Sequence, residues 1–267
     1  MTSLLNDRGV SIYYEDYNPE VARSVLLIHG LGATGESWNL QIPALIQAGY
    51  RVIVPDVYGF GKSANQYITS SIIELVDDLV QLIQSLIINK IHVIGISMGG
   101  IMALQLVIDH PHLVDKLIII NTFARLRHKG IRSWLYYIWR FSLINILGLR
   151  TQAKVVAKKL FPEQNQLPFR EILINQIIQA NPKAYRTTMV NLARFNVSNR
   201  LGDIQRPTLI IVGDKDTTVP PTLQFELAHD IPNSKCVIIK GAGHAVTAEK
   251  PDEINQHIID FLSQTLY

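Results

Sequence analysis

The sequence has 267 residues, of which 48% are hydrophobic and 18% charged, with a formal net charge of +3. This length suits one α/β core carrying an insertion, and the apolar share excludes a disordered chain. A single cysteine excludes an internal disulfide, and no apolar run approaches the roughly 20 residues that span a bilayer.

Charge is unevenly distributed along the chain. Residues 122–200 hold 14 of the 25 Lys and Arg residues against only Glu163 and Glu171, so the segment is strongly basic and the remainder acidic. Such asymmetry points to an anionic partner or surface, against the plainer reading of a solvated basic face. The first 20 residues lack the basic start and apolar centre of a signal peptide, so a cytoplasmic protein is expected. Cys236 sits in an apolar run and reads as an inert, buried thiol.

Residues 3–17 contain two β-rich runs around the turn-forming Asn6-Asp7-Arg8-Gly9, which predicts an antiparallel hairpin at a sheet edge. Residues 24–28 form an apolar strand followed by His29-Gly30-Leu31-Gly32, after which a helix is expected from Trp38 to about Gln47. A strand at 50–55 leads into the glycine-rich loop from Asp56 to Ser63. Ser71-x-x-Glu74 is a capping box, and Ile72, Leu75, Val76, Leu79, Ile83 and Leu86 recur at helical spacing behind it.

The run from Ile91 to Gly100 organises the chain. An apolar strand stops at a glycine-flanked serine and a helical pattern begins at once, with Gly95-Ile96-Ser97-Met98-Gly99 matching the Gly-x-Ser-x-Gly nucleophile elbow. The hydroxyl of Ser97 is then expected at the carboxyl end of a central strand. A serine hydroxyl is a poor nucleophile until a base takes its proton, so the pattern demands a histidine and an orienting acid elsewhere. Met98, heading the next helix, is expected to offer a backbone amide to a developing oxyanion.

A helix over 101–108 and a strand over 117–120 follow. The strand–helix alternation then breaks, giving way to aromatic and basic helical segments at 131–147, 151–160, 170–180 and 183–195, with no strand signal. It resumes with strands at 208–212 and 236–239 and a final helix that starts at Pro251. Apolar strands alternating with helices predict an α/β fold: a mostly parallel sheet of about eight strands covered on both faces. Residues 1–121 and 200–267 form the expected core, and 122–199 a helical cap insertion.

In order, His29-Gly30-Leu31-Gly32, Asp56-x-x-Gly59-x-Gly61-x-Ser63, the Ser97 elbow, Gly213-x-x-Asp216-x-x-x-Pro220 and Gly243-His244 before Glu249-x-Pro251 resemble the α/β-hydrolase family over nearly the whole chain. The resemblance implies a catalytic triad of Ser97, Asp216 and His244, with Leu31 giving the second oxyanion amide and the His29 side chain supporting its loop. Asp214 is the competing acid. Asn121, ending the strand before the cap, cannot act as a carboxylate. Neither a dinucleotide fingerprint nor a P-loop pattern is present, and no cofactor, metal or nucleic-acid partner is expected.

The resemblance implies a serine hydrolase working through an acyl-enzyme, with carboxylesterase action on small to medium apolar esters as the leading expectation. Lipid or lysophospholipid acyl hydrolysis at an anionic membrane, carbon–carbon or lactone hydrolysis, and a non-enzymatic small-molecule receptor remain open alternatives. Trp134, Tyr137, Ile138 and Phe141 in the cap are candidates for the substrate pocket. The same aromatic run lies among Arg125, Arg127, Lys129, Arg132 and Arg140, a mixture that fits peripheral contact with anionic lipid.

Overall fold

The computed structural model describes residues 2–64, 70–126 and 131–264, with the helical backbone alone for 131–143. Eight strands form one sheet: β1 (Thr2–Leu5), β2 (Ser11–Tyr17), β3 (Ser24–Ile28), β4 (Arg51–Pro55), β5 (Ile91–Ile96), β6 (Val114–Ile120), β7 (Thr208–Gly213) and β8 (Ser234–Ile239). Their order is β1-β2-β4-β3-β5-β6-β7-β8. Only β1–β2 and β2–β4 pair antiparallel; the rest pair parallel, as the edge hairpin and the buried apolar runs predict.

Alternate residues of the central strands feed two cores. Leu26, Ile28, Val93, Leu117 and Ile119 face one, and Val25, Leu27, Ile94, Ile118 and Ile120 face the other. The first is covered by α2 (Ile72–Ser85), α3 (Met98–Asp109) and α7 (Pro221–Asp230). The second is covered by α1 (Ile42–Gln47) and α9 (Pro251–Ser263), the latter through buried Ile254, Ile258, Phe261 and Leu262. A short α8 (Val246–Glu249) precedes α9. Burying each such side chain stabilises the fold by about 1.5–3 kcal/mol.

The capping box forms as read: the Glu74 amide donates to Ser71 Oγ at 3.2 Å, and the Ser71 amide to Glu74 Oε2 at 2.7 Å. Two expectations need correction. The segment from Trp38 to Gln47 is not one helix; a 3-10 turn at Gly35–Trp38 precedes α1, whose first turn holds Pro43. Proline favours a helix start and supplies no amide for an interior turn, so α1 begins there. Cys236 is half-buried rather than buried, because β8 is the outermost strand, and that partial burial pushes its thiol pKa up.

Between β6 and β7 lie α4 (Ile131–Leu160), kinked at Gly148 (φ 77°), α5 (Leu167–Gln179) and α6 (Pro182–Arg194). The segment entering these helices meets the one leaving them in a β-bridge, Arg125 with Asn196, and the Val197 amide donates to the Ala124 carbonyl at 3.0 Å. Here sequence gave no strand signal, since one bridge has no periodicity to read. The helices rest on core loops: the Asn181 amide donates to the Gly59 carbonyl at 2.9 Å, and Asn191 Nδ2 to the Ser70 carbonyl at 2.6 Å. No helix among the described residues is long and apolar enough to cross a membrane.

Candidate active site

Ser97 stands between β5 and α3 with φ 55° and ψ −115°, a conformation costing a non-glycine residue on the order of 1–3 kcal/mol. Its neighbours make the turn sterically feasible. A Cβ on Gly95 would overlap the Gly99 carbonyl, and one on Gly99 would overlap the Ile28 carbonyl. The turn is also pinned: the Ser97 amide donates to the Ile120 carbonyl at 2.9 Å, and Thr122 Oγ1 to the Ser97 carbonyl at 2.7 Å.

His244, on the loop after β8, reaches Ser97. Its Nε2 lies 3.0 Å from Ser97 Oγ and its Nδ1 2.7 Å from Asp216 Oδ2. A proton on Nδ1 donates to the carboxylate, leaving Nε2 free to accept from the serine hydroxyl, so the carboxylate fixes the tautomer. Asp216 is itself buried. Its Oδ1 accepts from the amides of Thr218 at 2.7 Å and Val219 at 2.9 Å, and Gln224 Nε2 donates to its Oδ2 at 3.3 Å. The three expected side chains therefore converge, and Asp214 does not join them: its Oδ1 accepts from the Gly241 amide at 2.7 Å.

Further side chains, assigned no such contacts by sequence, hold the constellation. Asn121 is fully buried at φ 45° at the end of β6. Its Nδ2 donates to the carbonyls of Gly243 at 2.9 Å and His244 at 2.8 Å, while its Oδ1 accepts from the Gly213 amide at 2.8 Å. Glu249 Oε2 accepts from the Gly243 amide at 2.8 Å. Gln224 is fully buried and also donates to the Val219 carbonyl at 2.8 Å. Asn and Gln carry no periodic signal, so only the tertiary contacts identify them.

On the other side of Ser97, the loop after β3 is braced by the Asp56 motif. Asp56 accepts from the Gly35 amide at 2.7 Å and the Lys62 amide at 2.8 Å. His29 Nδ1 donates to the Gly30 carbonyl at 2.8 Å and Nε2 accepts from the Val57 amide at 2.9 Å, so its ring is neutral and supports the loop. Burial lowers its pKa, against the opposing pull of Asp56. No described carbonyl accepts from the amides of Leu31 or Met98. Met98 opens α3, whose first-turn amides have no intrahelical partner, and Leu31 lines the cavity beside Ser97.

That cavity, about 480 Å³, lies between Ser97 and His244 on one side and α4–α6 on the other. Its described walls are chiefly apolar, with Val156, Leu160, Phe161, Phe169, Leu173, Met189 and Leu192 on the helical side and Leu31, Phe123 and Val219 on the core side. The side chains of Trp134, Tyr137, Ile138 and Phe141, the expected pocket residues, lie outside the described residues, as do those of Arg132 and Arg140. Chemically, the site places a hydroxyl against a basic ring nitrogen at the end of an apolar chamber.

Comparison with known proteins agrees with this architecture. The model of the alpha/beta hydrolase fold family matches residues 23–251. A putative carbamate hydrolase RutD from Variovorax paradoxus is 27% identical over 95% of this chain and 96% of its own. A 2-hydroxy-6-oxononadienedioate/2-hydroxy-6-oxononatrienedioate hydrolase from Paraburkholderia xenovorans is 29% identical over 96% of this chain and 92% of its own. Among solved structures, a thermophilic esterase from Thermogutta terrifontis superposes with TM-score 0.84 at 26% identity, covering 98% of this chain and 97% of that one.

Proposed function

We propose that this chain, which belongs to the α/β hydrolase fold family, is a serine hydrolase that cleaves carboxylic esters with small to medium apolar acyl groups. The observation carrying the proposal is the bridging position of His244, 3.0 Å from Ser97 Oγ and 2.7 Å from Asp216. Ser97 Oγ attacks the ester carbonyl carbon as its proton passes to His244 Nε2. The carbonyl oxygen becomes an oxyanion, met by the amides of Leu31 and Met98, each donor worth about 3 kcal/mol in the transition state. Collapse expels the alcohol, which takes the proton from Nε2, leaving an acyl-serine. Water then repeats the sequence with His244 as base, releasing the carboxylic acid and restoring the serine. Asp216 orients the ring and stabilises its charged form throughout.

The chamber supports the choice of substrate. Apolar walls favour an acyl chain, each buried methylene adding about 0.8 kcal/mol. Among the described lining residues Lys159 is the one full cation, and it is exposed. A dicarboxylate such as the substrate named for the Paraburkholderia hydrolase would bring two anionic groups to that lining. The carbamate group named for the RutD relative is polar, and without an apolar substituent it would find little complement in this lining. Carbon–carbon hydrolysis is the second reading, because the same three residues serve it.

Hydrolysis of p-nitrophenyl esters from acetate to palmitate, by wild type and Ser97→Ala, tests the proposal. Serine-dependent turnover peaking at short to medium chains is expected. Ligand-induced stabilisation with no turnover of any ester would instead favour a receptor.

A further inference from the structure

Beyond the kink at Gly148, α4 has two unlike faces. Leu149, Gln152, Ala153 and Ala157 are buried, while Arg150, Lys154 and Lys158 are exposed. Spacing of four places the three cations on one ridge, about 12 Å from first to last at the helical rise. None of the three forms an ion pair among the described residues, whereas Arg8, Arg51 and Arg200 each face a carboxylate. Nor do they line the cavity, so they are not placed to bind a soluble anionic substrate there.

Exposed apolar side chains lie on the same helix and on α5, which packs against it. Ile146 and Leu147, just before the kink, are 78% and 59% exposed, and Ile172 on α5 is 52% exposed. Ile172 and the exposed Lys159, the residue after Lys158, both line the cavity. Cations adjoining exposed aliphatic side chains on a helical surface are the chemistry of an interfacial helix: the charges meet lipid headgroups and the aliphatics enter the acyl boundary. Single-stranded nucleic acid would instead call for aromatic stacking platforms, and among the described residues of α4 and α5 the exposed large apolar side chains are aliphatic.

We infer that the Arg150–Lys154–Lys158 ridge, with Ile146 and Leu147, docks the protein on an anionic lipid surface. The docking does not depend on the hydrolase reading. It is tested by sedimenting the full chain with vesicles of phosphatidylcholine alone and of phosphatidylcholine mixed with phosphatidylserine. The comparison protein is the variant Arg150→Glu/Lys154→Glu/Lys158→Glu, with an unchanged thermal melt as the folding control.

Wild type is expected to pellet with the anionic vesicles and not the neutral ones, and to be released by salt. Removing each basic contact weakens partitioning on the order of fivefold, so the triple variant should bind at least about a hundredfold more weakly. Equal binding to both vesicle types, or no binding, overturns the inference, as does wild-type binding by the variant. Should the variant fail to fold, Arg150→Gln/Lys154→Gln/Lys158→Gln decides in the same assay. Binding a short duplex DNA as tightly as anionic vesicles would make the ridge a general polyanion surface and remove the lipid assignment. Ester turnover is measured separately, so its absence bears on Ser97 chemistry and not on docking.

Discussion

Asn121 donates a 2.8 Å hydrogen bond from its carboxamide to the carbonyl of His244, joining the end of β6 to the loop that carries this histidine. The same side chain holds Gly213 at the end of β7 and Gly243 beside the histidine. Three segments of the sheet edge therefore share one buried amide. Asn121→Asp should turn a donor toward two carbonyls into a repelling carboxylate, each lost bond costing about 1–3 kcal/mol. Steady-state kinetics should show kcat lower by about 10- to 100-fold with KM little changed. Unaltered kcat would remove Asn121 as a positioning residue.

The elbow tolerates no side chain at its crossing points. A methyl on Gly95 or Gly99 would overlap backbone rather than a movable side chain. Gly95→Ala and Gly99→Ala should each lose several kcal/mol, a large part of a typical domain's stability of about 5–15 kcal/mol. Circular dichroism melts and soluble yield check this. A native-like melt for either variant would mean that the turn can open.

Asp216 and Asp214 lie two residues apart and should behave differently. Asp216→Asn removes the acceptor that fixes the His244 tautomer, and by the precedent of serine proteases kcat should fall about 10⁴-fold. Asp214→Asn alters only a bond to the Gly241 amide and its distant partner Lys240, and should leave kcat within about threefold, since surface substitutions usually stay within about 0.5 kcal/mol. A reversed pair of effects would reassign the acid.

Chain-length dependence reports on the chamber. At about 0.8 kcal/mol per methylene, kcat/KM should rise roughly fourfold per added carbon from acetate until the chamber is full. Leu173→Trp, which fills space at the cavity wall, should flatten that rise and shift the optimum to shorter chains. An unchanged profile would place the acyl chain elsewhere.

Buried histidine should make the fold acid-sensitive. Burial holds the His29 pKa below its ordinary value of 6.5, so the unfolded chain takes up a proton near that pH while the folded chain does not. The His29 contribution is thus intact above pH 6.5 and lost progressively below it, and His92, also lowered by burial, acts in the same direction. Asp78 opposes them. Burial pushes its pKa up to about 6, so its ionisation removes stability as pH rises between about 4 and 6. Comparing denaturation midpoints at pH 7.5 and 5.5 for wild type and His29→Gln isolates the first effect, and the variant should lose less stability on acidification. Equal losses would mean that His29 is protonated in the folded protein.

Much of this was legible in the sequence, because burial leaves a repeating trace. Strands buried on both faces are continuous apolar runs, α2 shows its capping box and inner stripe, and strand, glycine turn and helix announce Ser97. Motif spacing favours Asp216 over Asp214, and of the two it is Asp216 that lies within hydrogen-bond distance of His244. What sequence missed depends on distant neighbours. Asn121 acts through three bonds to segments far along the chain and Gln224 through two bonds to the loop before its helix, and the half-exposure of Cys236 follows from the place of β8 in the strand order rather than from its residues. Cavity residues such as Val156, Leu173 and Met189 look like ordinary helix core until the packing leaves a space beside them.

Covalent trapping of the nucleophile tests the central claim most directly. The protein would be incubated with a fluorophosphonate and the modified peptide located by mass spectrometry, in wild type, Ser97→Ala and His244→Ala. Stoichiometric phosphonylation of Ser97 in wild type, absent from Ser97→Ala and much slower in His244→Ala, is the predicted result. An unlabelled wild-type protein, or a label on another residue with Ser97 untouched, would contradict it.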